Sequence, residues 1–266
     1  MGQKKALIIG INYSGSTKPL KGCIKDADAY VNLLVKNFGF EISDIQILIE
    51  DTATRQNILD GLINLKDQLK QKDDVGLFVY SGHGTRTADL PPIEEEDGLD
   101  EAIVPWDGID NPNNYIRDDE IRNILNQINK EVHFTTIFDS CHSDTADRDL
   151  NVVRSFTELT PGASEIKKIV EKINENKNTP AEHPLANNNT YLIAACKSTQ
   201  KAKDGDDNGL FTRELIRFIK KGLTYEKVKN LVVPEVKRHS EDQQEPQFSG
   251  PDLNSFIFGI KPDPLR

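Results

Sequence analysis

The chain alternates between two hydrophobic periods. Residues 6–11, 45–49, 75–80, 134–138 and 191–195 are short, mostly apolar runs, the pattern of strands buried on both faces of a sheet. Between them, apolar positions recur at helical spacing. In the clearest case Ile58, Leu62, Leu65 and Leu69 fall on one face, with Thr52 or Thr54 placed to cap the N-terminus. Further helices are expected over 26–37, 118–128 and 211–220. Strands that alternate with helices of this length predict an α/β domain whose mainly parallel central sheet is flanked by helices on both faces. One segment breaks the rhythm. Over 151–189 the patterning fades and Lys, Glu, Asn and Pro accumulate. A helix is expected at 164–174 and a flexible connector at 174–189.

Composition narrows the classes. With 266 residues and 36% hydrophobic positions the chain can bury a sizeable core. Its 33 basic and 43 acidic residues leave a net charge of -10, which argues against a nucleic-acid partner and suits a cationic or basic-peptide one. No apolar run approaches the ~18 residues that a membrane span needs, and the stretch 6–11 is too short for a secretory signal core. The three cysteines, Cys23, Cys141 and Cys196, are scattered and form no Cys-x-x-Cys pair. The expectation is a protein of the reducing cytoplasm with no membrane contact.

Ligands of parallel α/β sheets bind beyond the carboxyl ends of the strands, so the residues just after each run matter most. Ser81-Gly82-His83-Gly84 comes after the third run and Asp139-Ser140-Cys141-His142-Ser143 after the fourth. A histidine and a cysteine thus leave two buried strands at the same edge. A neighbouring imidazole activates a thiol whose ordinary pKa is about 8.5. The amides of Gly84 and Cys141 are candidate donors to an oxyanion. Alternation turns Asp139 the same way as Cys141, and Ser81 the same way as His83. Asp139 is read either as the floor of a pocket for a cationic side chain or as a capping acid for the next turn.

At these residues the sequence resembles the caspase-like cysteine peptidases, in their metacaspase and orthocaspase branch. The likeness rests on 20–27 (Leu-Lys-Gly-Cys-Ile-Lys-Asp-Ala), 80–84, 139–143, 194–200 and 209–212, in that family's order along the chain. It implies a caspase-like fold with Cys141 as nucleophile, His83 as general base, and Gly84 and Cys141 as the oxyanion hole. Asp139 stands where true caspases carry Gln, which implies cleavage of protein or peptide substrates after Arg or Lys. Asp26 would be the second pocket acid, and Cys23 and Ser81 the remaining pocket positions. The resemblance further implies a single catalytic domain over 1–266, with 1–150 like a large subunit, 151–189 a linker open to self-processing, and 190–266 like a small subunit.

The chain departs from the family at Asp144, where Gly usually comes after Cys-His-Ser. Calcium, which some relatives need, would fall to Asp100, Asp118 and Asp119, with Asp147 nearby; orthocaspases often work without metal, and none is expected to be required here. Asp204-Gly205-Asp206-Asp207-Asn208-Gly209 imitates the start of an EF-hand loop, but Leu215 stands where the closing Glu belongs, so a turn is expected. His133, His142, His183 and His239 are read as structural. The alternative function is a catalytically silent caspase-like interaction module. A nucleotide-binding reading fails because no glycine-rich phosphate loop comes after a strand.

Overall fold

The computed structural model describes residues 2–88, 99–140, 189–197 and 200–262. All five expected strands form. They are β1 (Lys4–Gly10), β2 (Ile45–Ile49), β3 (Val75–Ser81), β7 (His133–Asp139) and β8 (Tyr191–Ala194). A short β9 (Gln247–Ser249) completes a six-stranded sheet of order β2-β1-β3-β7-β8-β9, parallel except for the antiparallel β8–β9 pair. A second sheet of β4 (Gly84–Ala88), β5 (Leu99–Ile103) and β6 (Ile116–Arg117) is antiparallel.

Alternation along β1 divides the core in two. Ala6 and Ile8 pack on one face with α1 (Cys23–Phe38), α4 (Leu210–Phe218) and α5 (Tyr225–His239). Leu7 and Ile9 pack on the other with α2 (Arg55–Gln68) and α3 (Asp118–Leu125). Helices therefore cover both faces, as the periodicity predicts. Leu7, Ile8 and Ile9 are completely buried, and truncating any of them to Ala would cost about 2–5 kcal/mol.

Two helices differ from expectation. α1 starts at Cys23 rather than 26, because Asn12 Oδ1 accepts the Cys23 and Ile24 amides (2.9 and 3.3 Å) and so caps the helix from a distant loop. Of the two threonines, Thr54 caps α2 by accepting from the Asn57 amide. Helix α5 was not expected, since Pro234 lies inside it and proline normally ends a helical pattern. The expected linker 151–189, with its helix at 164–174, lies outside the described residues except for Asn189.

At the amino end of β7, His133 is structural, as expected. Its ring stacks on Tyr191 (4.6 Å between centroids) and its Nε2 lies 2.9 Å from the Tyr225 hydroxyl. Burial holds its pKa down at about 4, against 6.5 in a free chain. Between those values the unfolded chain takes up a proton that the folded one refuses, so stability falls as pH drops through that window, by up to about 3 kcal/mol at its lower end. Urea unfolding of wild type and His133→Phe across this range is expected to give the steeper loss for wild type; parallel slopes would refute the assignment.

Candidate active site

Strand register assembles the site. Ser81, the last residue of β3, is paired with Gly10 of β1 on one side and Asp139 of β7 on the other. His83 and Cys141 each lie two residues beyond this Ser81–Asp139 pair. Cys141 itself, with Asp144, Asp147 and His142, lies outside the described residues; Ser140 is the last before it.

His83 is buried and held on every side. Its amide donates to the Tyr13 hydroxyl (3.0 Å), and its carbonyl accepts from the Tyr80 hydroxyl (2.7 Å) and the Val104 amide (3.0 Å). Its Nε2 lies 2.8 Å from the Lys18 carbonyl. A carbonyl only accepts, so Nε2 carries the proton, and the tautomer that this bond fixes makes Nδ1 the basic nitrogen. The Tyr13 ring lies against the imidazole, 4.7 Å between centroids, with Trp106 stacked on it at 6.5 Å. Burial first, and the Tyr80 hydroxyl second, raise the Tyr13 pKa well above the usual value, so its neutral phenol remains a donor, here to the Val104 carbonyl. Gly82 is where the two tyrosines meet the turn. A Cβ there would sit 2.7 Å from the Tyr80 hydroxyl and 2.9 Å from that of Tyr13, so this close approach needs glycine. Gly84 opens β4 directly after His83, in register with Ile103.

The predicted pocket acids converge beside these residues. Asp26 on α1 and Asp139 on β7 are both completely buried. Asp26 accepts from the Ser81 hydroxyl (2.8 Å), the Asn208 amide group (2.9 Å) and the Gly209 backbone (3.0 Å). Asp139 accepts from the Thr212 hydroxyl (2.6 Å) and amide (3.3 Å). Cys23 is buried at the start of α1, three residues before Asp26. Ser81 thus stands between the two acids, bonded to one and paired in register with the other. Cys196, also buried, donates to the Ser140 carbonyl at 3.7 Å.

A sequence profile described as "Metacaspase, peptidase C14 domain" matches residues 4–151, more than half of the chain. The chain belongs to the metacaspase C14 family. It is 35% identical over 226 residues to Metacaspase-1 of Saccharomyces cerevisiae, an alignment spanning 82% of this chain and 50% of that protein. Metacaspase-1 of Sclerotinia sclerotiorum is 43% identical over 152 residues, covering 54% of this chain and 34% of that one. The chain therefore spans half or less of the length of these curated relatives. A crystal structure of a protein from Geobacter sulfurreducens superposes with a TM-score of 0.69 at 25% identity, over 98% of this chain and 100% of that one.

The acids that the metacaspase resemblance assigns to calcium are already engaged. Asp100 Oδ2 lies 3.3 Å from Arg117 Nε. One guanidinium, that of Arg122, binds Asp118 at 2.8 Å and Asp119 through its other nitrogen. Carboxylates suit Ca²⁺ when several oxygens converge on one point. Among the described residues the three do not form such a set; the one group with three ligand atoms within 4.8 Å is Glu214, Glu235 and His239, which is itself laced with Arg213, Arg217 and Arg238. Asp147, the further acid that the resemblance offers, lies outside the described residues.

Sequence reading missed Tyr13, Lys18, Asn12, Asn208 and Thr212. Asn208 and Thr212 carried a usable signal, since they lie in and beside the segment that resembles the family near 209–212. Among the described residues, no helix is long and apolar enough to cross a membrane.

Proposed function

We propose that the chain is a cysteine endopeptidase that hydrolyses peptide bonds after Arg or Lys. The observation that supports the reading is the register: the Ser81–Asp139 pair sets the turn bearing His83 beside the end of β7, two residues before Cys141 in the sequence, with two buried carboxylates at the same edge. In this reading His83 Nδ1 takes the Cys141 thiol proton as sulfur attacks the scissile carbonyl. The amides of Gly84 and Cys141 receive the oxyanion. The C–N bond breaks, His83 returns the proton to the departing amine, and a thioester remains. Water then attacks the thioester, giving its proton to the same nitrogen, and the acid and thiol are released. The Lys18 carbonyl keeps Nε2–H in place and favours the imidazolium that forms at each step. Tyr13 and Tyr80 fix the backbone on which this depends. Self-processing within 151–189 belongs to the same proposal, at Arg154, Lys167, Lys168, Lys172 or Lys177. Hydrolysis of matched peptides with Arg, Lys or Asp before the scissile bond tests it. Binding of basic peptides without turnover would instead support a silent interaction module.

Calcium has no step in this scheme, and we propose that turnover does not require it. The support is the guanidinium of Arg122 on Asp118 and Asp119 and that of Arg117 on Asp100. A chelator is expected to leave wild-type turnover unchanged, and calorimetry to find little Ca²⁺ binding. Arg122→Ala exposes two adjacent carboxylates and is expected to gain Ca²⁺ binding and a Ca²⁺-dependent rise in Tm. Strong activation of wild type by Ca²⁺ would reverse the assignment.

A further inference from the structure

The acidic segment 204–209 lies across the N-terminus of α1. Asp204 accepts the backbone amides of Lys21 (2.7 Å) and Gly22 (3.2 Å). Its carboxylate thus satisfies amides at the positive end of the helix. Lys21 Nζ reaches Asp206 at 2.8 Å, and Lys25 Nζ reaches Asp207 at 2.6 Å and the Asp206 carbonyl at 2.9 Å. Immediately afterwards Asn208 and Gly209 donate to the buried carboxylate of Asp26, and Thr212, one turn into α4, donates to Asp139. The two pocket acids, Asp26 and Asp139, both come before the 151–189 segment in the chain. Most of the donors that orient them, Asn208, Gly209 and Thr212, come after it.

We propose that the Asp204–Gly209 loop is a clasp that sets the basic-residue pocket, with Asn208 as the positioning residue that holds the Asp26 carboxylate for a substrate cation. This rests on the reading of the pocket as the seat of Arg or Lys. Magnitudes decide which contacts matter. The Lys21–Asp206 and Lys25–Asp207 pairs are half or more exposed on the lysine side and 85% and 90% exposed on the aspartate side, so solvent and salt leave them little net effect. The Asn208–Asp26 bond is charge-assisted and its acceptor is fully buried, and Asp204 bonds two backbone amides; these are the contacts whose loss is felt.

Gly22 gives an independent handle on the same contact. Its φ of -92° suits alanine, yet a Cβ would stand 2.9 Å from Asp204 Oδ1, 2.9 Å from the Gly205 carbonyl and 3.1 Å from the Gly209 nitrogen. Gly22→Ala is therefore a steric wedge between α1 and the clasp, with no backbone strain of its own.

The test is a kinetic and exchange comparison of the full chain with Asn208→Ala, Asp204→Ala, Gly22→Ala and the double variant Asp206→Asn/Asp207→Asn. With Arg peptides, the first three are expected to raise KM roughly ten- to a hundred-fold while kcat changes much less. The double variant is expected to have the smallest effect of the set. Hydrogen exchange at the Lys21 and Gly22 amides should quicken in Asp204→Ala, which reads the clasp without substrate and whether or not a variant keeps activity. An unchanged KM in Asn208→Ala and Gly22→Ala, a loss confined to kcat, or a larger effect from the double variant would overturn the clasp. A wild type that cleaves after residues other than Arg or Lys would overturn the pocket reading instead, and the exchange result would still report whether the loop holds α1.

Discussion

Cys141→Ala is expected to abolish peptide hydrolysis, and His83→Ala to lower turnover by on the order of 10⁴-fold or more. The two losses have different causes. Alanine at 141 removes the sulfur that forms the covalent intermediate, so no thioester can accumulate. Alanine at 83 leaves the thiol but removes both the acceptor of its proton and the donor to the leaving amine. Because both residues act in one step, the double variant should be no worse than Cys141→Ala alone. The same pair of proteins tests self-processing. On incubation, mass spectrometry should find new termini after Arg154, Lys167, Lys168, Lys172 or Lys177 in wild type and none in Cys141→Ala. Full turnover in Cys141→Ala would remove the nucleophile assignment. An uncut wild-type chain with full activity would leave 151–189 as a connector alone.

The architecture and the position of the candidate catalytic turn were legible because strand physics is local. An apolar run such as 75–80 must be buried on both faces, and the residues after it must emerge at an edge of the sheet; the turn carrying Ser81 and His83 could be placed from that alone. Two parallel strands of similar length then bring their carboxyl ends level, and the observed Ser81–Asp139 pairing is that consequence. The supporting residues were hidden for equally physical reasons. Lys18 acts through its backbone carbonyl, so its side-chain type carries no signal. Asn12 caps a helix that begins eleven residues later, beyond the span in which capping patterns are read. Tyr13 lies two residues past the apolar run 6–11 with nothing local to mark it, and only the fold brings its hydroxyl to the His83 amide across 70 residues of sequence. Helix α5 was hidden by Pro234, whose local penalty is outweighed by burial of Tyr225, Val228, Val232 and Val236. The acids at 100, 118 and 119 show the converse limit. The family resemblance offers them as metal ligands, but it cannot reveal that Arg117 and Arg122 pair with them.

Asp139→Asn is expected to lower kcat/KM for Arg peptides by roughly 30-fold to several thousand-fold, the cost of removing one partner from a buried, hydrogen-bonded charge pair. The substitution isolates charge from shape. Asn keeps a carbonyl oxygen that can still accept from the Thr212 hydroxyl, so the bond that holds residue 139 to α4 survives. What disappears is the buried negative charge, which on the proposed reading is the partner of the substrate guanidinium. Asp26→Asn should act in the same direction, because its oxygen can still accept from Asn208 and Gly209 while its new amide donates to the Ser81 hydroxyl. Neither change introduces a cavity or a clash, so thermal unfolding should stay close to wild type and the loss can be assigned to recognition. The discriminating quantity is the ratio of kcat/KM for Arg against an uncharged residue of similar size at the same position. That ratio should collapse in both variants, mainly through the Arg arm, because a neutral side chain never used the carboxylates. Wild type preferring Asp before the scissile bond, or a ratio that either variant leaves intact, would show that the two buried acids do not select the substrate.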